Sequence, residues 1–264
     1  MRPPADRRAA PEPRRLARWL REHAFAEGLV VLALVGWWHA ARQMPEFVLP
    51  GPLAVAERVL DFFIVAGMVD DSLISTARVA ASVVIAVTLG GMLAFIPRRW
   101  PVAEAIIHER VKPFLNSFPS IGWAILASIW FGPSDLSVIF VQVAILTPFC
   151  LVNISEGLKE LDLELLEMAR SFTRNRVRVF WRIIVPLLMP YVVAALRIAY
   201  GVGWKIALVS ELFGAESGIG FLMLRALTAS DAVTLFAACF AIVLIFIAGE
   251  KLVIEPLSRR FQLR

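Results

Sequence analysis

Residues 79–96 read VAASVVIAVTLGGMLAFI, an apolar run without a single charged side chain. Crossing a hydrocarbon core of about 30 Å takes roughly 20 such residues in a helix. Three further uncharged runs match it: Pro113–Ser134, Leu136–Ser155 and Ala232–Gly249. A fourth, from Ile183 to about Ser210, is long enough but carries Arg197 and Lys205. With the shorter run Leu29–Ala41, the chain reads as six spans. They must be helices, because an open sheet leaves its edge hydrogen bonds unsatisfied in lipid.

Composition agrees. Hydrophobic residues make up 59% and charged residues 19% of the 264, and the mean hydropathy is +0.72. Soluble domains average about 45–50% apolar and about 25% charged. The net charge of +5 does not point to nucleic acid. Arginine clusters at the N-terminus and between the apolar runs, with no contiguous basic face. Cys150 and Cys239 fall inside apolar runs, and His23, His39 and His108 are scattered, so metal and redox chemistry find no ligand spacing.

The connections set the orientation. Seven arginines precede residue 22. Arg98, Arg99, Arg110 and Lys112 follow the second span, Lys159 to Arg182 supply six more before the fifth, and Lys251, Arg259, Arg260 and Arg264 close the chain. The alternate connections are sparser, which places both termini in the cytoplasm. Six spans demand the same parity. Residues 1–25 are expected to be a disordered basic tail, turning helical near Leu16–Arg21. A basic segment before a short apolar run also describes a signal peptide. Trp37 and Trp38 suit an interfacial anchor better than a cleavage site, so an uncleaved first helix is expected. The long link Gln43–Ser72 is expected to lay an amphipathic helix over Leu53–Val69, closed by Asp70 and Asp71. Ala86, Gly90 and Ala94 recur every four residues, a spacing that lets helices approach closely.

Residues 156–172, EGLKELDLELLEMARSF, differ from the rest. Leu158, Leu161, Leu165, Met168 and Phe172 follow helical spacing with charges opposite, predicting a helix outside the membrane that ends near Thr173-Arg174-Asn175. Acidic residues lead and basic ones trail, as the helix dipole prefers. Without context such a segment is a surface connector.

Here the chain resembles the permease subunits of binding-protein-dependent ABC importers, which carry a cytoplasmic loop of the form E-A-A-x3-G-x9-I-x-L-P. Glu167-Met168-Ala169 fill the first places, Thr173 stands where the glycine belongs, and Ile183-Ile184-Val185-Pro186 close the motif. The spacing fits throughout; Met168, Thr173 and Val185 depart from the pattern. Thr173 matters most, since threonine resists the left-handed backbone that glycine takes freely. Beyond residue 45 the chain looks like the nitrate, sulfonate and taurine subfamily. The resemblance rests on Leu49-Pro50-Gly51-Pro52, Ser72-Leu73 with Arg78, Phe118-Pro119-Ser120-Ile121, Trp130-Phe131-Gly132, Leu187-Leu188-Met189-Pro190, Leu196-Arg197, Glu211 and Gly218-Ile219-Gly220.

The resemblance implies an all-α polytopic permease domain over 26–264, with a coupling loop at about 156–182, in a bacterial cytoplasmic membrane. Its coupling residues would be Glu164, Glu167, Ala169, Arg170, Phe172, Thr173 and Asn175, docking on a separate ATPase. The chain has no G-x-x-x-x-G-K-[ST] loop, so it would bind no cofactor and carry out no catalysis; ATP and magnesium belong to the partner. Two ATPase copies, a second permease and an extracytoplasmic solute-binding protein complete the expected complex.

For the pathway, Lys205 is the focus, with Trp204 and Glu211 as further candidates. A charge at mid-membrane costs about 2.5–3.5 kcal/mol on insertion scales. Two readings of Lys205 stand: it faces the passage and favours an anion, or it is structural, paired with Glu211 or snorkelling outward. Arg197 is expected to be structural. Pro186 and Pro190 loosen the start of the fifth span, and Gly218-Ile219-Gly220 suggests a tight turn folding back at the outer mouth. A small anion is the expected solute, with a neutral or cationic nutrient such as a thiamine precursor as the alternative. A stand-alone secondary transporter would show repeated halves and an intramembrane enzyme a motif such as HExxH; neither is visible.

Overall fold

The structure, a computed structural model, describes residues 13–100, 102–161, 168, 171–173 and 175–261. Among these every regular element is helical. In chain order they are α1 (Pro13–Ala41), α2 (Pro52–Ile64), α3 (Ala66–Arg99), α4 (Val102–Ser117), α5 (Ser120–Phe131), α6 (Asp135–Lys159), α7 (Arg176–Gly214), α8 (Ile219–Thr228) and α9 (Ala232–Phe261).

The helices begin where local chemistry starts them. Pro52 follows Gly51 at the head of α2, where its missing N–H costs nothing. Ser134 accepts from the Ser137 N–H to cap α6, and Asp231 accepts from the Thr234 N–H to cap α9. Gly132 (φ 69°) and Gly218 (φ 100°) take the left-handed backbone that ends α5 and introduces α8.

Three helices make the core. α3 and α6 run parallel, with α7 antiparallel against both. Arg78 meets Asp135 and Glu211 at one end. Midway, a Cβ on Gly90 would lie 2.6 Å from the Cys150 Cβ. At the other end Arg98 donates to the Leu158 carbonyl at 2.6 Å, and Gly157 abuts the Tyr191 ring. Ala86, Gly90 and Ala94 are all buried, so the four-residue repeat of small side chains is the seam along which α3 approaches α6. Trp37 of α1 stacks on Phe236 and Phe240 of α9 and donates to the Pro50 carbonyl at 3.0 Å.

Among the described residues four helices are long and apolar enough to cross a membrane: α3, α6, α7 and α9. The run Pro113–Ser134 is not one straight span. It breaks at Phe118-Pro119 into α4 and α5, bent by 86°. Proline bars its predecessor from the helical region, and Phe118 is extended at φ −78°, ψ 126°. At 12 residues α5 is about 18 Å long, short of a crossing by itself.

Three other expectations change. The helix expected near Leu16–Arg21 is present but longer, running from Pro13 without a break into the Leu29–Ala41 run; residues 1–12 lie outside the described residues. The amphipathic helix stops at Ile64, where Val65 turns extended, and Asp70 and Asp71 lie within α3 rather than closing α2. The stripe from Leu158 to Phe172 is interrupted: α6 ends at Lys159, with the Glu160 N–H bonded to the Glu156 carbonyl.

Candidate functional site

The link between α6 and α7 is built from both sides. Leu158 and Leu161 are buried, and Tyr191 of α7 donates its hydroxyl to the Glu160 carboxylate. Glu164, Glu167, Ala169 and Arg170 lie outside the described residues. Met168, Ser171 and Phe172 are helical, and the Ser171 hydroxyl donates to the Met168 carbonyl at 2.6 Å. Met168 is half exposed and Phe172 is 83% exposed, so this part of the apolar stripe faces away from the protomer.

The helix stops at Thr173, where side-chain hydrogen bonds replace the expected glycine. The Asn175 N–H donates to the Thr173 hydroxyl at 3.3 Å, and the Asn175 side-chain oxygen accepts from the Val177 and Arg178 N–H groups, each at 3.1 Å. Asn175 is thus the N-cap of α7. Thr173 does not adopt a positive φ, so no left-handed backbone is needed at this position. From this cap α7 passes through a π-helical stretch, Phe180–Ile184, before Pro186.

The three pathway candidates separate. Lys205 is exposed and makes no hydrogen bond or ion pair among the described residues. It stands beside a cavity of about 270 Å³ between α7 and α9, shared with Trp204, Leu208, Cys239, Ile242 and Phe246. Trp204 is buried, and its indole N–H has no acceptor there. Glu211 is 1% exposed and does not touch Lys205. The proposed Lys205–Glu211 pairing is absent because Glu211 is already satisfied elsewhere. Arg197, expected to be structural, pairs with Glu250 of α9 at 2.8 Å.

Glu211 belongs to an enclosed polar cluster at the Arg78 end. Its carboxylate accepts from Ser75 Oγ at 2.8 Å, Arg78 Nη1 at 3.0 Å and the Gly220 N–H at 2.9 Å. Arg78, itself 4% exposed, also donates to Asp135, to the Ser217 carbonyl at 2.7 Å and to the Ser217 hydroxyl at 2.9 Å. Asp71 accepts the Gly218 N–H at 2.6 Å, and Ser75 accepts the Ile219 N–H at 2.9 Å. Asp71, Ser75 and Arg78 fall at i, i+4 and i+7, one face of α3. That face holds the loop between α7 and α8 through its backbone amides. Glycine is required there, since a Cβ on Gly218 would stand 2.7 Å from Glu211 Oε1 and one on Gly220 2.6 Å from the Glu211 Cβ. The predicted tight turn is real, and α8 folds back from it. Sequence reasoning found Arg78, Glu211 and the glycines separately and missed Ser75, Asp135 and Ser217 as their partners. The available signal was the polar spacing on α3.

Comparison with known proteins bears on this arrangement. Residues 86–253 match the family model described as binding-protein-dependent transport system inner membrane component. A probable ABC transporter permease protein of Brucella melitensis is 27% identical over 226 residues, covering 86% of this chain and 91% of that protein. The taurine transport system permease protein TauC of Escherichia coli is 27% identical over 255 residues, covering 92% and 91%. A formylaminopyrimidine transport permease protein, ThiX, of Halalkalibacterium halodurans is 28% identical over 229 residues, covering 83% and 87%.

Proposed function

This chain belongs to the binding-protein-dependent transport system inner membrane components, and on that premise we propose that it forms the ATP-driven import path for a small organic anion of the taurine or sulfonate type. It is a multi-pass permease of the bacterial inner membrane in the ABC importer class. In our reading α1 and the bent pair α4–α5 join the four long helices to give six crossings, with both termini in the cytoplasm. The Arg78 end then faces outward and the Arg98 end inward. Two copies of the chain line the path, two cytoplasmic ATPases drive it, and an extracytoplasmic binding protein delivers the solute.

The coupling contact is the link that includes Glu164, Glu167, Ala169, Arg170, Phe172, Thr173 and Asn175. Its support is mechanical. The exposed Phe172 stands beside a turn fixed by Asn175, and Asn175 caps a helix that runs unbroken to Gly214. A push on such a helix is carried along its axis toward the membrane-spanning part.

The anionic solute rests on Lys205. It lies nine residues before the end of α7 at Gly214, about 13 Å along the axis. An exposed ammonium at that depth, with no counter-ion among the described residues, is costly against lipid. It is tolerated where it faces water, and there it attracts anions. The relationship to TauC points the same way. Likeness to the formylaminopyrimidine permease favours a second reading, a thiamine-precursor nutrient. Vesicles holding the permease with its ATPase and binding protein decide between them. ATP-dependent uptake of taurine or an alkyl sulfonate, reduced about tenfold in Lys205→Ala, supports the anionic path. Uptake of a formylaminopyrimidine alone, indifferent to Lys205→Ala, replaces it with the second reading. Uptake without ATP overturns both.

A further inference from the structure

A groove of about 730 Å³ opens between α3 and α7 at the Arg98 end. We propose that it holds an acyl chain of an anionic phospholipid whose phosphate is taken by Arg178 and Arg182.

The wall is hydrocarbon: Met92 and Phe95 from α3, Val185 and Met189 from α7. Thr88 supplies its one hydroxyl, which already donates to the Val84 carbonyl at 2.7 Å. Nothing there asks for a polar ligand. Trp100 and Trp181, each 64% exposed, also line the groove. Tryptophan is enriched at the level of lipid headgroups, where one edge of the ring is wet and the other is not.

The charge pattern continues this sequence. Arg182 directly follows Trp181 and Arg178 precedes it by three residues, so both cations leave α7 at the level of the tryptophan or about one turn nearer the helix start. Both guanidinium groups are exposed and carry no ion pair among the described residues. Along α7 the apolar wall thus gives way to a tryptophan with one cation beside it and another a turn beyond, matching the passage from tail to headgroup in a phospholipid. Basic pockets between helices select anionic headgroups, at about 1 kcal/mol per arginine near the surface. A transmembrane helix from a second copy would satisfy the wall without accounting for the two arginines beside it. This inference is independent of the solute.

The test uses the whole transporter complex, purified with native lipid and then stripped by detergent exchange. Native mass spectrometry counts the phosphatidylglycerol and phosphatidylethanolamine retained. Wild type should keep phosphatidylglycerol. The Arg178→Gln/Arg182→Gln pair should keep roughly tenfold less, with phosphatidylethanolamine unchanged and the ATPase still bound. Met189→Trp, which fills the groove without altering charge, should lose the same lipid. Equal phosphatidylglycerol in wild type and in both variants overturns the proposal. So does a wild type that retains none, or a cysteine at Thr88 that crosslinks to a second permease copy.

Discussion

At the Arg78 end of the bundle, a guanidinium and a carboxylate are sealed among α3, α6 and α7, and every polar atom named there has a partner within the protomer. At the Arg98 end an open apolar groove lies between α3 and α7, and Phe172 and Trp181 face the surroundings. The π-helical stretches Ile106–Val111, Phe180–Ile184 and Glu250–Ile254 all belong to this second end. A π turn spaces its hydrogen bonds unevenly and recurs at functional positions. The difference teaches where the molecule is able to move. One end is fastened by buried charge and backbone amides in a confined space; the other is held by apolar contacts and by separate hydrogen bonds, Arg98 to the Leu158 carbonyl and Tyr191 to Glu160.

Four substitutions probe that contrast. Arg78→Ala should do the greatest damage, leaving the Glu211 carboxylate buried without its cation at a cost of about 3–5 kcal/mol. Denaturant titration of the purified complex should show the loss, and stability close to wild type would mean that the fastened end is not fastened by this pair. Glu167→Lys should act in the opposite manner. Transport should fall about tenfold, within the range of coupling free energies, while stability changes by no more than about 0.5 kcal/mol. Uptake at the wild-type rate removes Glu167 from the coupling contact.

Asn175→Ala lies between these extremes. Losing the cap of α7 should cost about 1 kcal/mol, read as earlier hydrogen exchange in residues 176–184 with the Arg78 end unaffected. Protection lost at both ends together would show that α7 opens as one unit. Thr173→Gly should change least, by under about 0.5 kcal/mol. Its hydroxyl accepts one exposed hydrogen bond and its backbone is not left-handed. Failure of the complex to assemble would show that the hydroxyl, rather than the cap, sets this turn.

Much of this molecule was readable from the chain. The long apolar runs, three of them uncharged and one carrying Arg197 and Lys205, found the four long helices because insertion into lipid depends on composition and length, both local properties. Gly218 and Gly220 announced a turn for a similarly local reason. The third apolar run misled because hydropathy is blind to direction: Pro119 alters the backbone path without altering how apolar the segment is. The interruption at Glu160 was hidden likewise, since Leu158 and Leu161 keep helical spacing with Met168 and Phe172 across a break in the helix.

The sequence by itself determined that this is a helical membrane protein of the importer class, since apolar length, charge placement and motif spacing are written along the chain. Only the tertiary structure decided what its charges do. Arg78 finds Asp135 at 57 residues' separation and Glu211 at 133, while Lys205, six positions from Glu211, finds no partner at all among the described residues. Pairing depends on which helix faces meet in space, and a run of letters carries the cost of burying a charge but not the identity of the group that relieves it.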